Sequence, residues 1–419
     1  MLDIKWIREN RDAFVKGMEA KGCPGHQLLE ELLAFDERRR SILKEVEDLK
    51  ARRNQANQEI ASLKAQKKSA DKILDEMKAL SQKIKNLDSD VGEVIEKESI
   101  LMLSVPNIPD FSVPVAKGNE GNKIVRTWGD PRKLPFDGKE HQVIAGALGW
   151  LDMERGSKIA GSAFPVYKGQ GARLERALVN FMLDLHTREH GYQEVWPPAL
   201  VNRASMTGTG QLPKLEADMY RLAEDDLFLI PTGEVPVTNL LRDEVLAEEQ
   251  LPVYYTAYTP CFRREAGSYG KDTKGLSRVH QFDKVEMVKF VKPETSADEL
   301  EKLVKDAEAV LQALELPYRV VFLGSGDMSF AASRCYDLEV WAPVSKRWYE
   351  VSSCSTFGDF QARRMNIRFR SKSSGKVEFV HTLNGSGVAL ARTLLCLLEN
   401  FQTRDGKVDF PAALRPYLS

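Results

Sequence analysis

Arg263, Glu265, Arg278, Phe282 and Glu286 fall within FRREAGSYGKDTKGLSRVHQFDKVE, residues 262–286. The spacing predicts two strands joined by a polar loop from Gly267 to Gly275, with Arg263 and Glu265 on one face of the first strand. On the returning strand Arg278, His280, Phe282, Lys284 and Glu286 share a face, opposite Val279, Val285 and Met287. Guanidinium forks take phosphate oxygens in pairs, and a ring stacks on a base. The surface therefore suits a phosphorylated, aromatic ligand. A hairpin with a solvated face would account for a lone Arg-x-Glu pair, but not for this spacing over 25 residues.

The elements around this surface read as α+β. RLERALVNFMLDLHTREHG (173–191) has the period of an amphipathic helix stopped by Gly191. GYQEVWPPALVN (191–202) then reads as a strand whose prolines need an edge or an interface. SADELEKLVKDAEAVLQALELP (296–317) is a second amphipathic helix, followed by the strand YRVVFL. Helices interrupt runs of strands rather than alternating with them, which predicts an antiparallel sheet and not a doubly wound one.

Residues 28–101 behave differently. Leu28, Leu32, Phe35, Arg39, Ile42, Val46, Leu49, Arg53, Ala56, Ile60 and Leu63 alternate spacings of four and three. Ile73, Met77, Leu80, Ile84, Leu87, Val91, Val94 and Leu101 resume the rhythm after a polar tip. Two such seams predict an antiparallel coiled-coil hairpin. At 1.5 Å per residue, 28–64 would reach roughly 55 Å, too long to be covered by a compact domain. Pro106, Pro109 and Pro114, with Gly118 and Gly121, mark a linker, so the chain divides into 1–105 and 106–419.

Composition narrows the function classes. The 419 residues carry a net charge of -1, so any polyanion-binding surface must be local. Between 38 and 68, ten Lys or Arg face four acids; on charge alone this is most simply a solvated coiled-coil surface. The five cysteines, at 23, 261, 335, 354 and 396, lack metal-ligand spacing, which points to free thiols in a reducing compartment. The amino terminus is amphipathic and charged, unlike a signal peptide, and no run of about 18 apolar residues exists to span a membrane.

Residues 262–286 resemble motif 2 of the class II aminoacyl-tRNA synthetases, in the version of the seryl-tRNA synthetase family. PTGEVPVTNL (231–240), WYEVSSCSTFGDFQARR (348–364) and HTLNGSGVALARTLLCLLENFQ (381–402) resemble that family in its order. Residues 191–202 resemble motif 1 and about 384–402 motif 3, so nearly the whole chain is covered. The resemblance implies a cytoplasmic, homodimeric enzyme that uses ATP and Mg2+, but no zinc, to join L-serine to tRNA(Ser), and also to tRNA(Sec). It implies that Arg263 contacts the α-phosphate and the amino-acid carboxylate. Glu265 with Arg264 and Arg278 would hold the nucleotide, and Phe282 would stack the adenine. Glu350, Val351, Ser352 and Ser353 would form the phosphate side, with Glu350 and Ser353 toward Mg2+. Arg392 would hold the γ-phosphate, although spacing alone equally allows a surface arginine.

For serine, the resemblance implies a loop of Thr232, Gly233 and Glu234 over the amino acid, Glu286 for the ammonium and Ser386 for the hydroxyl. Gly385 and Gly387 would let backbones approach closely. It implies an RNA grip on 28–101, with Arg38, Arg39, Arg40, Lys44, Arg52 and Arg53 contacting phosphates. Pro198 would sit at a dimer interface, although an edge strand within a monomer has the same pattern. Lys271 and Lys274 could meet the acceptor stem or lie in a solvated loop. Arg264, Thr356 and Ala391 depart from the usual motifs. A ligase that loads a carrier protein, or a non-catalytic tRNA-binding relative, are the competing readings; the first lacks a long arm, and the second would have lost Arg263, Glu286 or Glu350.

Overall fold

The computed structural model describes residues 1–266 and 275–418, so the expectation for Lys271 and Lys274 lies outside the described residues. The chain forms two compact units, Leu2–Val105 and Pro106–Ser419, the second joined by Met1.

The first unit has short helices α1 (Ile4–Glu9) and α2 (Arg11–Ala20), then the long pair α3 (Gly25–Ala65) and α4 (Asp71–Ser104). The predicted seam is the buried one: Leu32, Val46 and Ile60 on α3 meet Ile84, Val91 and Val94 on α4. Ile7, Phe14 and Met18 close the base. Two buried acids, Asp36 and Glu98, interrupt this apolar seam. The Asp36 carboxylate is wholly buried and takes Arg8 at 2.9 Å, Arg39 at 2.8 Å and Arg40 at 2.9 Å. Arg39 also reaches across the hairpin to Glu98 at 2.9 Å. Arg39, expected on an RNA-facing surface, is thus engaged inside the seam. Arg53 is half-buried there too, whereas Arg38, Arg40, Lys44 and Arg52 are exposed. Burial would raise the Asp36 pKa, but the three guanidiniums outweigh it and hold the carboxyl below its ordinary range.

A depressed carboxylate stabilises the fold above its unfolded pKa, and that contribution is lost as pH falls through the folded value. Asp36→Asn is expected to remove about 1–3 kcal/mol of stability at neutral pH, because three guanidiniums lose the negative charge they share and one of its two acceptor oxygens becomes an NH2. Chemical denaturation checks this, and the difference from wild type should shrink in acid.

The second unit is built on an eight-stranded sheet. Its strands are β1 (Lys123–Trp128), β2 (Gln193–Glu194), β3 (Val253–Phe262), β4 (Gln281–Val291), β5 (Tyr318–Phe322), β6 (Arg334–Ala342), β7 (Arg347–Gly358) and β8 (His381–Ala389). They lie in the order β1-β5-β6-β7-β8-β4-β3-β2. Neighbours are antiparallel except β2, which runs parallel to β3 at one edge. The helices that follow in sequence, α5 (Gln170–Arg188), α6 (Glu234–Thr238), α7 (Ser296–Ala313), α8 (Phe360–Met365) and α9 (Leu390–Phe401), flank it. This is the expected α+β architecture.

Alternation along β4 sorts the two faces. Asp283 and Lys289 point to the side of α5 and α7, where Lys289 pairs with Glu299 at 3.2 Å. Val288 and Phe290 point the other way into an apolar core with Ala257, Met365, Ile367 and Phe369. Phe282, Lys284 and Glu286 share that second face.

Two expectations need correction. The β3–β4 ladder ends at the pair Phe262–Gln281, so Arg263 and Glu265 lie just past one strand, and Arg278, Val279 and His280 just before the other. Glu265 sits at φ 51, a left-handed turn conformation incompatible with continued pairing. Residues 191–202 are not one strand either. Only Gln193–Glu194 and Leu200–Asn202 pair, because Pro197 and Pro198 between them have no N–H to donate.

Candidate active site

Two irregularities in the sheet re-aim the chemistry. On β7, Ser353 faces Asp337 and Ser352 faces Leu338, but Glu350 faces Glu339, so Val351 is inserted. One inserted residue lets side chains three apart share a side, which is how Glu350 and Ser353 both reach the same wall. On β8, Ser386 faces Glu286 while Val388 faces Val285, so Gly387 is inserted. A Cβ at Gly387 would lie 2.8 Å from His186 Nε2, and one at Gly385 would lie 2.7 Å from Cys354 Sγ. Both glycines are close-approach positions, as expected.

The register makes Glu286 and Ser386 direct cross-strand neighbours, with side chains on one face. Beside them a cavity of about 500 Å³ opens. Of the nucleotide and serine residues expected from sequence, all line it except Gly233, Arg264 and Glu286. Glu286 lies just beneath the wall, accepting the Thr232 hydroxyl at 2.7 Å. Gly233 packs its backbone on Glu286, where a Cβ would come within 3.0 Å. Arg264 turns away, its Nη1 donating to the Ala217 carbonyl at 3.4 Å, and is therefore no part of the cavity surface.

The cations in this cavity are held before any ligand arrives. Arg263 donates through Nε to the Pro231 carbonyl at 3.2 Å, and its guanidinium lies 5.3 Å from the centre of the Phe282 ring. Arg278 pairs with Glu265 at 2.8 Å. Arg392 donates to the Ser277 carbonyl at 3.1 Å and to the Glu350 carbonyl at 2.8 Å, and its Nη1 lies 3.4 Å from the Glu350 carboxylate. It is a wall of the cavity rather than a solvated helix residue. Ser352 is buried and donates to the Ser386 carbonyl at 2.6 Å, so it ties the two inserted strands together.

Three further residues belong to this site, and the sequence reading gave them no role. Lys284 puts its ammonium 2.5 Å from Glu286 and 2.8 Å from the Thr232 hydroxyl. Asn384 donates to the other Glu286 oxygen at 3.1 Å. Gln361 donates to Glu234 at 2.6 Å. Lys284 alone was visible in advance, through its place on the Phe282–Glu286 face. Glu234 is buried, and burial followed by repulsion from Glu286 raises its carboxyl to about 7. The Gln361 bond, then Lys284 and Arg263, pull the other way.

The donor set fits a magnesium ion. Glu350 supplies a half-exposed carboxylate and Ser353 a hydroxyl on the same wall, both hard oxygens. Among the described residues no cluster of three or more His, Cys, Asp or Glu could hold a metal ion alone. Magnesium is usually held by one or two protein groups together with substrate phosphates and water.

A strongly antiparallel sheet whose cavity is lined by fixed arginines, a carboxylate wall and a ring defines the class II aminoacyl-tRNA synthetases. Residues 216–401 match the tRNA synthetase class II core domain (G, H, P, S and T), and residues 1–109 match the seryl-tRNA synthetase N-terminal domain. The serine--tRNA ligase of Carboxydothermus hydrogenoformans is 54% identical, covering 100% of this chain and 98% of its own. That of a Geobacillus species is 56% identical with the same coverage. The crystal structure of Pyrococcus horikoshii seryl-tRNA synthetase complexed with ATP superposes with a TM-score of 0.94 at 36% identity, over 100% of this chain and 98% of that one. The chain belongs to the seryl-tRNA synthetase family.

Proposed function

We propose that this protein is a serine--tRNA ligase that first makes seryl-adenylate from L-serine and ATP and then passes serine to the 3′ end of tRNA(Ser). One observation carries the reading: Ser386 lines the cavity with Arg263, Phe282, Glu350 and Arg392, and its cross-strand neighbour Glu286 lies just beneath that wall. An acid for an ammonium and a hydroxyl for a hydroxyl thus adjoin a nucleotide surface.

In the first step the serine carboxylate attacks the α-phosphorus and pyrophosphate leaves. Two anions must meet, so positioning and charge stabilisation supply most of the catalysis. Arg263 lies between the two subsites and neutralises both anions. Phe282 and the Glu265–Arg278 pair hold the adenosine end, and Arg392 takes the far phosphate. Glu350 and Ser353 would hold the magnesium ion, which offsets phosphate charge when bound.

In the serine subsite, Thr232, Glu234 and Glu286 take the ammonium, and Ser386 takes the side-chain hydroxyl. Alanine leaves the hydroxyl partners unpaired in a buried site and is rejected for that reason. Threonine must be excluded by its methyl group. In the second step a ribose hydroxyl of the tRNA attacks the seryl carbonyl and AMP leaves.

The same reading makes the protein a cytoplasmic homodimer. Support comes from the edge strand β2 and its continuation, where Trp196 is 74% exposed and Pro198 lies on the surface. Beside them a second cavity holds the buried Glu175 carboxylate and the Tyr167 hydroxyl, neither with a hydrogen-bond partner among the described residues. Such groups are costly to leave unpaired, which favours a partner surface there. No helix among the described residues is long and apolar enough to cross a membrane. The exposed Arg38, Arg40, Lys44 and Arg52 support an RNA grip on the hairpin, and charging of tRNA(Sec) by serine would use the same surface.

The test is pyrophosphate exchange into ATP with serine, threonine, alanine or glycine. Serine should drive exchange roughly 10,000-fold better than alanine, the discrimination expected of a site built around a hydroxyl. Exchange led by another amino acid would overturn the assignment.

A further inference from the structure

Glu234 is aimed by a residue that touches no ligand surface. Gln361 is fully buried on α8, and its Nε2 faces two acceptors: the Thr209 carbonyl at 3.1 Å, which can only accept, and the Glu234 carboxyl at 2.6 Å. An amide whose one end meets two acceptors must present its NH2 there, so its Oε1 faces the other way. It does: Oε1 accepts the hydroxyl of Thr382, itself fully buried, at 2.8 Å. The amide therefore has one stable orientation. The chain of bonds Thr382–Gln361–Glu234 runs from β8 through α8 to α6. It occupies one Glu234 oxygen, and the other has no protein partner among the described residues. A second tether acts from the α6 side, where Thr238 donates to the Glu234 carbonyl at 2.7 Å.

We propose that Gln361, locked by Thr382, is the positioning residue that aims the free oxygen of Glu234 at the amino-acid substrate. The inference rests on the cavity being a serine site. It goes beyond that reading by assigning the control of Glu234 to a residue outside the cavity wall.

The consequence is a signature that mere structural support would not give. The charged groups facing Glu234 are Glu286 and Lys284 on β4 and Arg263 beyond β3, and they stay in place when Gln361 changes. Gln361→Leu keeps the bulk but deletes the donor, so Glu234 ionises at higher pH than in wild type. Its KM for serine should rise roughly 10- to 100-fold near neutrality, the range for a lost hydrogen bond to a charged group, and recover as pH rises. Gln361→Glu is nearly isosteric, and the carboxyl it introduces can still donate to Glu234 while protonated. This variant should bind serine well in mild acid and lose it as pH rises, because two carboxylates at that distance cannot both ionise. The two variants therefore move in opposite directions with pH.

The experiment is pyrophosphate exchange with the full-length protein between pH 6 and 9, measuring KM for serine and for ATP separately. The expected result is opposed pH trends in the serine KM, with the ATP KM within about threefold of wild type. Equal rises in both KM values, or parallel pH trends, would overturn the positioning role. Wild-type protein that shows no serine-dependent exchange would instead overturn the serine reading itself. Should Gln361→Leu fail to fold, Gln361→Glu alone decides the matter: the positioning role requires serine binding to be lost with rising pH while the ATP KM holds, whereas unfolding driven by the ionised carboxyl would raise both.

Discussion

Arg263→Gln is expected to lower serine-dependent pyrophosphate exchange by about 100- to 1,000-fold, the usual loss when one preorganised charge is removed from a phosphoryl-transfer site. The geometry explains why so much rests on one side chain. Its Nε is committed to the Pro231 carbonyl and its guanidinium lies by the Phe282 ring, so it waits at the join of the nucleotide and amino-acid subsites. Little reorganisation is left to be done when negative charge gathers on the α-phosphate. The effect should fall mainly on kcat, because charge there is greatest in the transition state. Arg263→Lys should recover only part of the loss, since an ammonium cannot reproduce the planar fork. Stability should change little, because the side chain makes one carbonyl bond at the edge of an open cavity. Exchange within threefold of wild type in Arg263→Gln would remove Arg263 from the reaction.

Much of this site was legible in the sequence because its residues come in short motifs. Thr232 to Glu234, Glu350 to Ser353 and Phe282 to Glu286 each sit on one element, and strand alternation already groups the last set. What alternation could not give is where a ladder stops. The pairing ends at Phe262–Gln281, which leaves Arg263 and Glu265 in a turn that a period-two reading extends as strand. Nor does a pattern announce an inserted residue: Val351 and Gly387 shift Glu350 and Ser386 by one place, and only the partner strands reveal it. Gln361 escaped for a related reason. It lies 127 positions from the Glu234 it holds, within a motif whose arginines draw the eye.

The hairpin shows the same division. Its seam followed from four-and-three spacing: the rhythm selects buried Leu32, Val46, Ile60, Ile84, Val91 and Val94, although it passes over buried Asp36, Glu98 and Met102. Charge was harder to read. Arg39 lies in a basic run and on the seam at once, and one-dimensional counting assigns it to solvent. Buried Asp36 and Glu98 instead draw it inward, so the exposed basic surface is smaller than composition suggests.

That distinction shapes the test of the arm. Removing residues 51–87 and closing the gap with a short glycine-rich turn should leave serine-dependent exchange within about twofold of wild type, while transfer of serine to tRNA(Ser) falls at least ~100-fold. The cut is placed where the two helices already meet, since Lys50 and Asp88 are 3.4 Å apart across the hairpin. It spares Asp36, Arg39 and Glu98, so the base of the first unit keeps its ion-pair network. All described residues of the cavity lie at Thr209 or beyond, and none is touched. What is lost is a stretch carrying Arg52, Arg53, Lys64, Lys67 and Lys68, whose role in this reading is to neutralise RNA phosphates. Each phosphate contact adds to the salt dependence of binding, so transfer by the shortened protein should also fall less steeply as salt rises. Equal losses of exchange and transfer would mean that the hairpin serves the catalytic unit itself, and the division between an RNA-holding arm and an adenylate-forming cavity would have to be given up.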